Sequence, residues 1–556
     1  MRRRHLLLAG CLALPVALGA YAQAEAERQL DAAIERLRAG LGPDGAVEWR
    51  SRSVDPATGT ARLQGLTIRQ GKDRLTAAEV VLDGLQADRL GRAVLTDLRM
   101  EEAKRADAPA PMVIAAGRVS FVNLVLPAAG AGPGVDWSAL AAGEALAEGI
   151  RVENPGRGEA ELARLSLAGY APGRVQDAVL EGFRFTDRSD GEVSIRLGRA
   201  QLAGAVVPRI GADRDPWALA ADSARIEGAE LVVQSQQVSM RLGRMQLDGW
   251  GEGRLTSFAL EGLKVEGETK EAGPFVAELG RAGLSGFPAR DTAYAIAHDL
   301  NPPQPIPGQD QDGMLEGLAV STAGAPLLRI ATVRARNSWD ATAPRTQTGT
   351  LAVEGVALDL PPEQGGDWLD GLGFKRILAR LGMESRFLQD QGRILADPFL
   401  LQAAGMGSLG ISLDLGGIQM PTPGQPSVAK EDPLALIANW TIGGLSIRYT
   451  EEGLLRALLA QQAARERVPE SQLRARYAQM VQRFPVPGVA QGKEAPQIRA
   501  IREALASFAR DLGTIEIAMR PAKPVPMPAF MTLAGQPPEQ LVRELGLTAR
   551  ATPPAR

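Results

Sequence analysis

Three stretches of the chain, beginning at Val80, Leu165 and Met245, overlay on one another without a gap. Each places a leucine at Leu82, Leu167 or Leu247, then Gly84, Gly169 or Gly249, an arginine at Arg89, Arg174 or Arg254, and a second leucine at Leu95, Leu180 or Leu260. The copies close alike, with Asp97-Leu98-Arg99-Met100, Gly182-Phe183-Arg184-Phe185 and Gly262-Leu263-Lys264-Val265. Offsets of 85 residues from Leu82 to Leu167 and 80 from Leu167 to Leu247 are too long for a leucine-rich coil and fit several strands per unit.

Polarity alternates with a period of two over Ala61 to Ile68, Ala78 to Leu82, Arg118 to Leu126 and Glu192 to Leu197, the pattern of strands with one face buried. A glycine followed by a short alternating run recurs at Gly65, Gly149, Gly228 and Gly262, and glycine inside a strand marks a bulge or tight bend. Blocks of such strands cannot bury their apolar side alone; stacking them edge to edge solves this. The expected fold is mainly β with α, an elongated repeat-built antiparallel sheet with a helical C-terminal region. Its apolar side is either a covered core or an open, lipid-sized groove, and the sequence leaves both readings standing.

The amino terminus argues for export. Arg2-Arg3-Arg4 precedes an apolar run from Leu6 to about Tyr21, and Ala20-Tyr21-Ala22 offers the small residues of a cleavage site, which makes residues 1–22 a signal peptide and the mature protein periplasmic. Arg3-Arg4 also fits a twin-arginine signal, and Leu8-Ala9-Gly10-Cys11 fits a lipobox that would lipidate Cys11. Cys11 is the only cysteine, so cleavage after Ala22 removes disulfides, thiolate nucleophiles and cysteine-bound metals together.

Residues 24–41 carry Ala26, Leu30, Ile34 and Leu37 at helical spacing and form an expected amphipathic helix. The repeat β region extends over 46–290, with units near 46–101, 149–185 and 228–265. A proline-rich linker at 291–313 follows, centred on Asn301-Pro302-Pro303, and is the expected domain boundary. Beyond it lies a second β region, 314–450, interrupted by a helix at 368–381. The remainder, 451–556, reads as mainly helical, with Ser471 as a helix cap. Between Gly453 and Arg550 there are 14 Lys and Arg against 8 Asp and Glu. This basic block either contacts anionic lipid headgroups at the membrane periphery or presents ordinary solvated helix faces.

Candidate chemistry fails where it is tested. A net charge of -3 and 4% aromatics argue against nucleic acid and against base or sugar stacking. After signal removal His298 is the only histidine, so a Ser-His-Asp triad or a multi-histidine metal site has at most one member available, and its place just before the proline run reads as a loop or surface position. Gly405-Met406-Gly407-Ser408-Leu409-Gly410 matches the dinucleotide fingerprint in letters but runs into the strand-like Ile411 to Leu415 instead of a helix. Asp310, Asp312, Gly313 and Glu316 mimic a calcium loop, yet Ala319 falls where the bidentate carboxylate belongs, so the segment reads as a turn. No catalytic residue, metal ligand or cofactor is assigned. Arg89, Arg174 and Arg254 are either a phosphate-binding row or surface residues beside successive hairpin bends.

The alternating, glycine-punctuated strands behind an export signal, over roughly Ala46 to Gln419, resemble the AsmA-like envelope proteins. The resemblance implies a β-groove used for phospholipid movement or outer-membrane assembly. It departs from that group in lacking a retained amino-terminal transmembrane helix and in ending with a helical block. The segment from Gly407 through Leu455 into Pro521 to Leu545 also resembles uncharacterised exported proteobacterial proteins. Three functions follow: a non-enzymatic envelope protein that binds phospholipid, with Leu82, Leu167 and Leu247 lining a groove and Arg89, Arg174 and Arg254 at its rim; a scaffold for an envelope protein, its sheet fully covered; or a hydrolase with an inconspicuous carboxylate pair.

Overall fold

The computed structural model describes residues 22–41, 45–55, 58–85, 89–102, 110–125, 141–187, 192–206, 220–251, 255–269, 273–304, 308–340, 345–362, 365–420, 422–426, 437–485, 494–529 and 536–554. The expected signal peptide with Cys11, and Arg254 of the third repeat, lie outside the described residues. The chain is mainly antiparallel β, with helices gathered toward its C-terminus. It divides between Glu268 and Thr269 into two units. The division therefore precedes the proline-rich segment at 291–313, which is not a plain linker: it overlaps a helix at Ala289–Ala297 and runs into a strand that begins at Gln311.

Unit 1 opens with helix α1 (Ala22–Leu41) and the short strands β1 (Gly45–Glu48) and β2 (Ser51–Val54). An antiparallel meander follows: β3 (Ala61–Gln70), β4 (Asp73–Leu85), β5 (Arg89–Glu101), β6 (Val113–Val125), β7 (Ala141–Asn154), β8 (Gly158–Tyr170), β9 (Arg174–Asp187), β10 (Val193–Val206), β11 (Ala221–Val233), β12 (Val238–Trp250) and β13 (Leu255–Thr269). Each strand from β3 pairs with the next. The helix at 24–41 is present as α1, and its spacing explains its seat: Leu30, Ile34 and Leu41 are buried against β1 to β6. Arg52 bonds Asp31, Arg38 Nη2 donates to the Val47 carbonyl at 3.3 Å, and the two guanidinium groups flank Trp49.

The recurrent glycines have one conformational role. Gly65, Gly149, Gly182, Gly228 and Gly262 have positive φ in β3, β7, β9, β11 and β13, and Asp97 takes that place in β5. A second set, Gly84, Gly169, Gly204 and Gly249, does the same in β4, β8, β10 and β12, with Asn123 substituting in β6. Each strand from β3 to β13 thus carries one left-handed residue, odd strands in one row and even strands in another. L-residues other than Asn and Asp rarely adopt this conformation, which accounts for the two non-glycine choices. At these rows the inward alternation slips by one residue: in β5 the buried positions run Leu90, then Ala93 and Leu95, then Leu98 and Met100. The slip occurs in both partners of a pair, so the ladder keeps its register while the strand bends.

Unit 2 repeats the antiparallel style in β14 (Gly273–Phe287), β15 (Gln311–Thr322), β16 (Ala325–Asp340), β17 (Thr346–Leu358), β18 (Ile377–Leu388), β19 (Arg393–Ala403), β20 (Gly407–Gly416), β21 (Thr441–Glu451) and β22 (Thr514–Met519). The Ala289–Ala297 helix is α2. The helix expected at 368–381 is corrected: α3 covers only Gly366–Gly371, and from Ile377 the chain is strand β18, paired with β17. The apolar residues of that stretch fit a short turn followed by a strand as well as one helix, and Gly371 and Gly373 favour the break. Asp312 and Glu316 lie on β15 rather than in a turn, with Asp310 just before it; Arg336 bonds Asp310 and sits 3.8 Å from Asp312.

The closing region contains α4 (Leu454–Glu466), α5 (Glu470–Arg483), α6 (Pro496–Asp511), β23 (Val525–Pro526), α7 (Pro538–Glu544) and β24 (Leu547–Thr552). Ser471 lies inside α5, whose N-cap position is Pro469. Helix α4 is capped from a distance: buried Glu451 accepts from the backbone N–H of Leu455 at 3.0 Å and of Arg456 at 3.1 Å.

Candidate functional site

The register of unit 1 collects the repeat residues into rows. Leu82, Ala93, Phe121, Ala145, Leu167, Ala178, Leu202, Ala224, Leu247 and Phe258 are successive cross-strand partners from β4 to β13. Leu82, Leu167 and Leu247 therefore stand in one line, four strands apart, and the line spans about 38 Å from first to third at the usual strand spacing. A second row two residues away holds Val80, Leu95, Val119, Ala147, Leu165, Leu180, Ala200, Ile226, Met245 and Leu260. Across the bend a third runs through Met100, Ile114, Val152, Ala160, Phe185, Ile195, Leu231, Met240 and Val265.

All three rows lie on one face. A cavity of about 230 Å³ is lined by Met100 and Ile114 from the third row, Val119, Ala147 and Leu165 from the second, and Phe121, Ala145 and Leu167 from the first. Every side chain lining it is apolar.

Cover on this face changes along the rows. Under α1 it is a closed core: Leu82, Leu90 and Ala93 are 0% exposed. The core shared with α1 thins through β6 and ends at Ala142 in β7. Beyond it Ala205, Ala221 and Leu255, near the strand ends of the same face, are still buried, but from β8 to β13 no member of the three rows is fully buried. Leu82 is thus core, whereas Leu167 and Leu247 are partly exposed on the same line. The cavity lies at the transition, where the helix-covered core gives way to the open part of the face.

The opposite face carries charge. Arg118, Glu148, Arg164, Glu181, Arg199, Glu227, Arg244 and Glu261 are successive cross-strand partners from β6 to β13, alternating in sign at every strand. Glu181 lies 3.9 Å from Arg164 and 3.5 Å from Arg199. Opposite charges directly across a pair hold register, because a slipped strand sets a charge against an apolar partner. The sequence carried this ladder as alternating Glu-Gly and Gly-Arg dipeptides, such as Glu181-Gly182, Gly198-Arg199, Glu227-Gly228 and Gly243-Arg244, a signal the gap-free overlay passed over.

Arg89 and Arg174 are the first residues of β5 and β9, exposed, and paired in register with Val125 and Val206. They sit beside hairpin bends four strands apart, roughly 19 Å, too far to share one phosphate. His298 stacks on Tyr294 at 4.1 Å, and its Nδ1 contacts the Tyr294 carbonyl at 2.8 Å. Among the described residues no three His, Cys, Asp or Glu converge as metal ligands, and no helix is long and apolar enough to cross a membrane.

A family model described as "Uncharacterized protein" matches residues 400–552, from the end of β19 through β24. No curated protein matches the chain.

Proposed function

We propose that the protein is an exported, non-enzymatic component of the cell envelope that holds the acyl chains of a phospholipid on the apolar face of unit 1, in keeping with the AsmA-like resemblance. The observation that carries this reading is the apolar rows continuing past the cover of α1 with no polar residue in line and none fully buried from β8 onward. A scaffold has no need of three apolar rows left partly exposed over six strands, and exposing apolar surface without an occupant invites association. The purified protein, mixed with the fluorescent fatty acid cis-parinaric acid, is expected to enhance its emission. Leu165→Glu with Leu167→Glu, which sets two carboxylates among the cavity-lining rows, is expected to reduce uptake about tenfold while the thermal melt stays cooperative. No uptake by the wild type, together with a lipid-free native mass, refutes the reading.

A further inference from the structure

We infer that the α5–α6 end of unit 2 docks on an anionic phospholipid bilayer, a role independent of acyl-chain binding in unit 1. Met480 and Phe484, one helical turn apart at the end of α5, are 57% and 66% exposed. They border a depression of about 290 Å³ whose other walls include Val481, Ile498, Ile501 and Leu505. Single exposed hydrophobes are ordinary on any surface; two adjacent ones continuous with an apolar hollow form a patch.

The patch is held in place. Arg502 donates from Nη1 to buried Glu494 at 2.8 Å and from Nη2 to the carbonyl of Phe484 at 3.2 Å, so a sequestered ion pair fixes the chain where Phe484 projects. The charges around it are unbalanced. Arg474, Arg476 and Arg510 have carboxylate partners in Glu470, Glu466 and Asp511. Arg483 and Arg499 are exposed, have no side-chain partner among the described residues, and immediately adjoin Phe484 and Ile498. Apolar tips beside arginines that outnumber the local carboxylates, of which exposed Glu503 stands one helical turn from Arg499, match a bilayer interface, where the tips enter the acyl boundary and guanidinium groups meet phosphates. A partner helix would instead call for a recessed groove with anchors repeating along its length.

The test is cosedimentation of the full chain with vesicles of equimolar phosphatidylglycerol and phosphatidylcholine, against phosphatidylcholine alone. Binding is expected only with phosphatidylglycerol and is expected to weaken as salt is raised. Arg483→Gln with Arg499→Gln is expected to lower the partition coefficient about tenfold or more, and Met480→Asp with Phe484→Asp to abolish it. The arginine pair lies on the surface and decides the matter even where the aspartates disturb packing. Leu165→Glu with Leu167→Glu is expected to leave vesicle binding intact, and the α5–α6 variants to leave cis-parinaric acid uptake intact, which separates this inference from the proposed function. Equal binding to phosphatidylcholine, wild-type binding by the arginine variant, or no binding to phosphatidylglycerol overturns it; the last leaves an acidic polypeptide as the occupant.

Discussion

Two residues of opposite type test the bending rows. Gly182 has φ of +67°, and an added Cβ would come 2.9 Å from the Cβ of Ala163 in the neighbouring strand. Gly182→Ala is expected to cost about 1–2 kcal/mol, the penalty of a left-handed L-residue, with the close contact adding to it. Asp97 holds the equivalent place in β5 at φ of +51° and is exposed. Asp97→Gly relieves the same strain and is expected to be neutral or stabilising by up to about 1 kcal/mol. Urea unfolding of both variants reads the difference, and equal destabilisation by the two refutes a conformational origin.

Tyr449 supplies the pH test. Burial, followed by donation of its hydroxyl to Glu451 at 2.7 Å, raises the phenol above its ordinary value of 10.0. The folded chain then holds this proton more tightly than the unfolded chain, so the stability it contributes is complete below pH 10 and lost as pH rises through the folded-state value. Unfolding at alkaline pH is expected to be less steeply pH-dependent in Tyr449→Phe than in the wild type. Identical pH dependence in the two proteins, followed by circular dichroism, contradicts the assignment.

At the scale of elements, the sequence revealed periodicity better than boundaries. The two glycine signals, one at Gly84, Gly169 and Gly249 and the other at Gly65, Gly149, Gly228 and Gly262, are the two bending rows. Glycine alone meets the conformational demand at most of these sites, so the letter survives wherever the bend does. The true period is two strands rather than four: Leu82, Phe121, Leu167, Leu202 and Leu247 are the large residues of one row in successive even strands, with alanine between them until Phe258. Unequal hairpin connections hide it, because the steps from Leu82 to Phe121 and from Phe121 to Leu167 differ, whereas their sum recurs closely. A gap-free overlay sees only the sum. The short α3 reads from sequence as part of a long helix for a related reason. Apolar residues at 368–381 satisfy a helical template locally, and the pairing of β18 with β17, which decides the matter, is made with residues about thirty positions upstream. The candidate site was legible as a list of leucines but not as a surface. Alternation identifies an inward face, yet whether α1 reaches over a given strand is a tertiary fact that no local pattern encodes.

At the scale of whole units, unit 1 combines two regimes of stability on one continuous ladder. Its first strands share a core with α1, in which Leu30, Ile68, Leu75, Leu82, Leu90 and Leu124 are among the most completely buried side chains. Its later strands keep the same hydrogen-bonded register but bury few positions, Ala205, Ala221 and Leu255 among them, and none in the three rows, so their amides open at lower cost. Amide hydrogen exchange is expected to show the slowest exchange in β3 to β5, with protection declining past β7. Ile34 is 3% exposed in α1, so Ile34→Asp places a charge in the covered core and is expected to reduce protection chiefly in β3 to β5. Under the proposed function a bound acyl chain would act on the other regime, supplying to β8 through β13 the apolar contact that α1 supplies to the first strands. Saturating cis-parinaric acid is therefore expected to slow exchange in the later strands and leave β3 to β5 unchanged. Uniform protection along the meander in its absence would mean that the half-covered rows are as stable as the core and need no occupant. Slowing confined to β3 to β5 would place the ligand beneath the helix rather than on the open face.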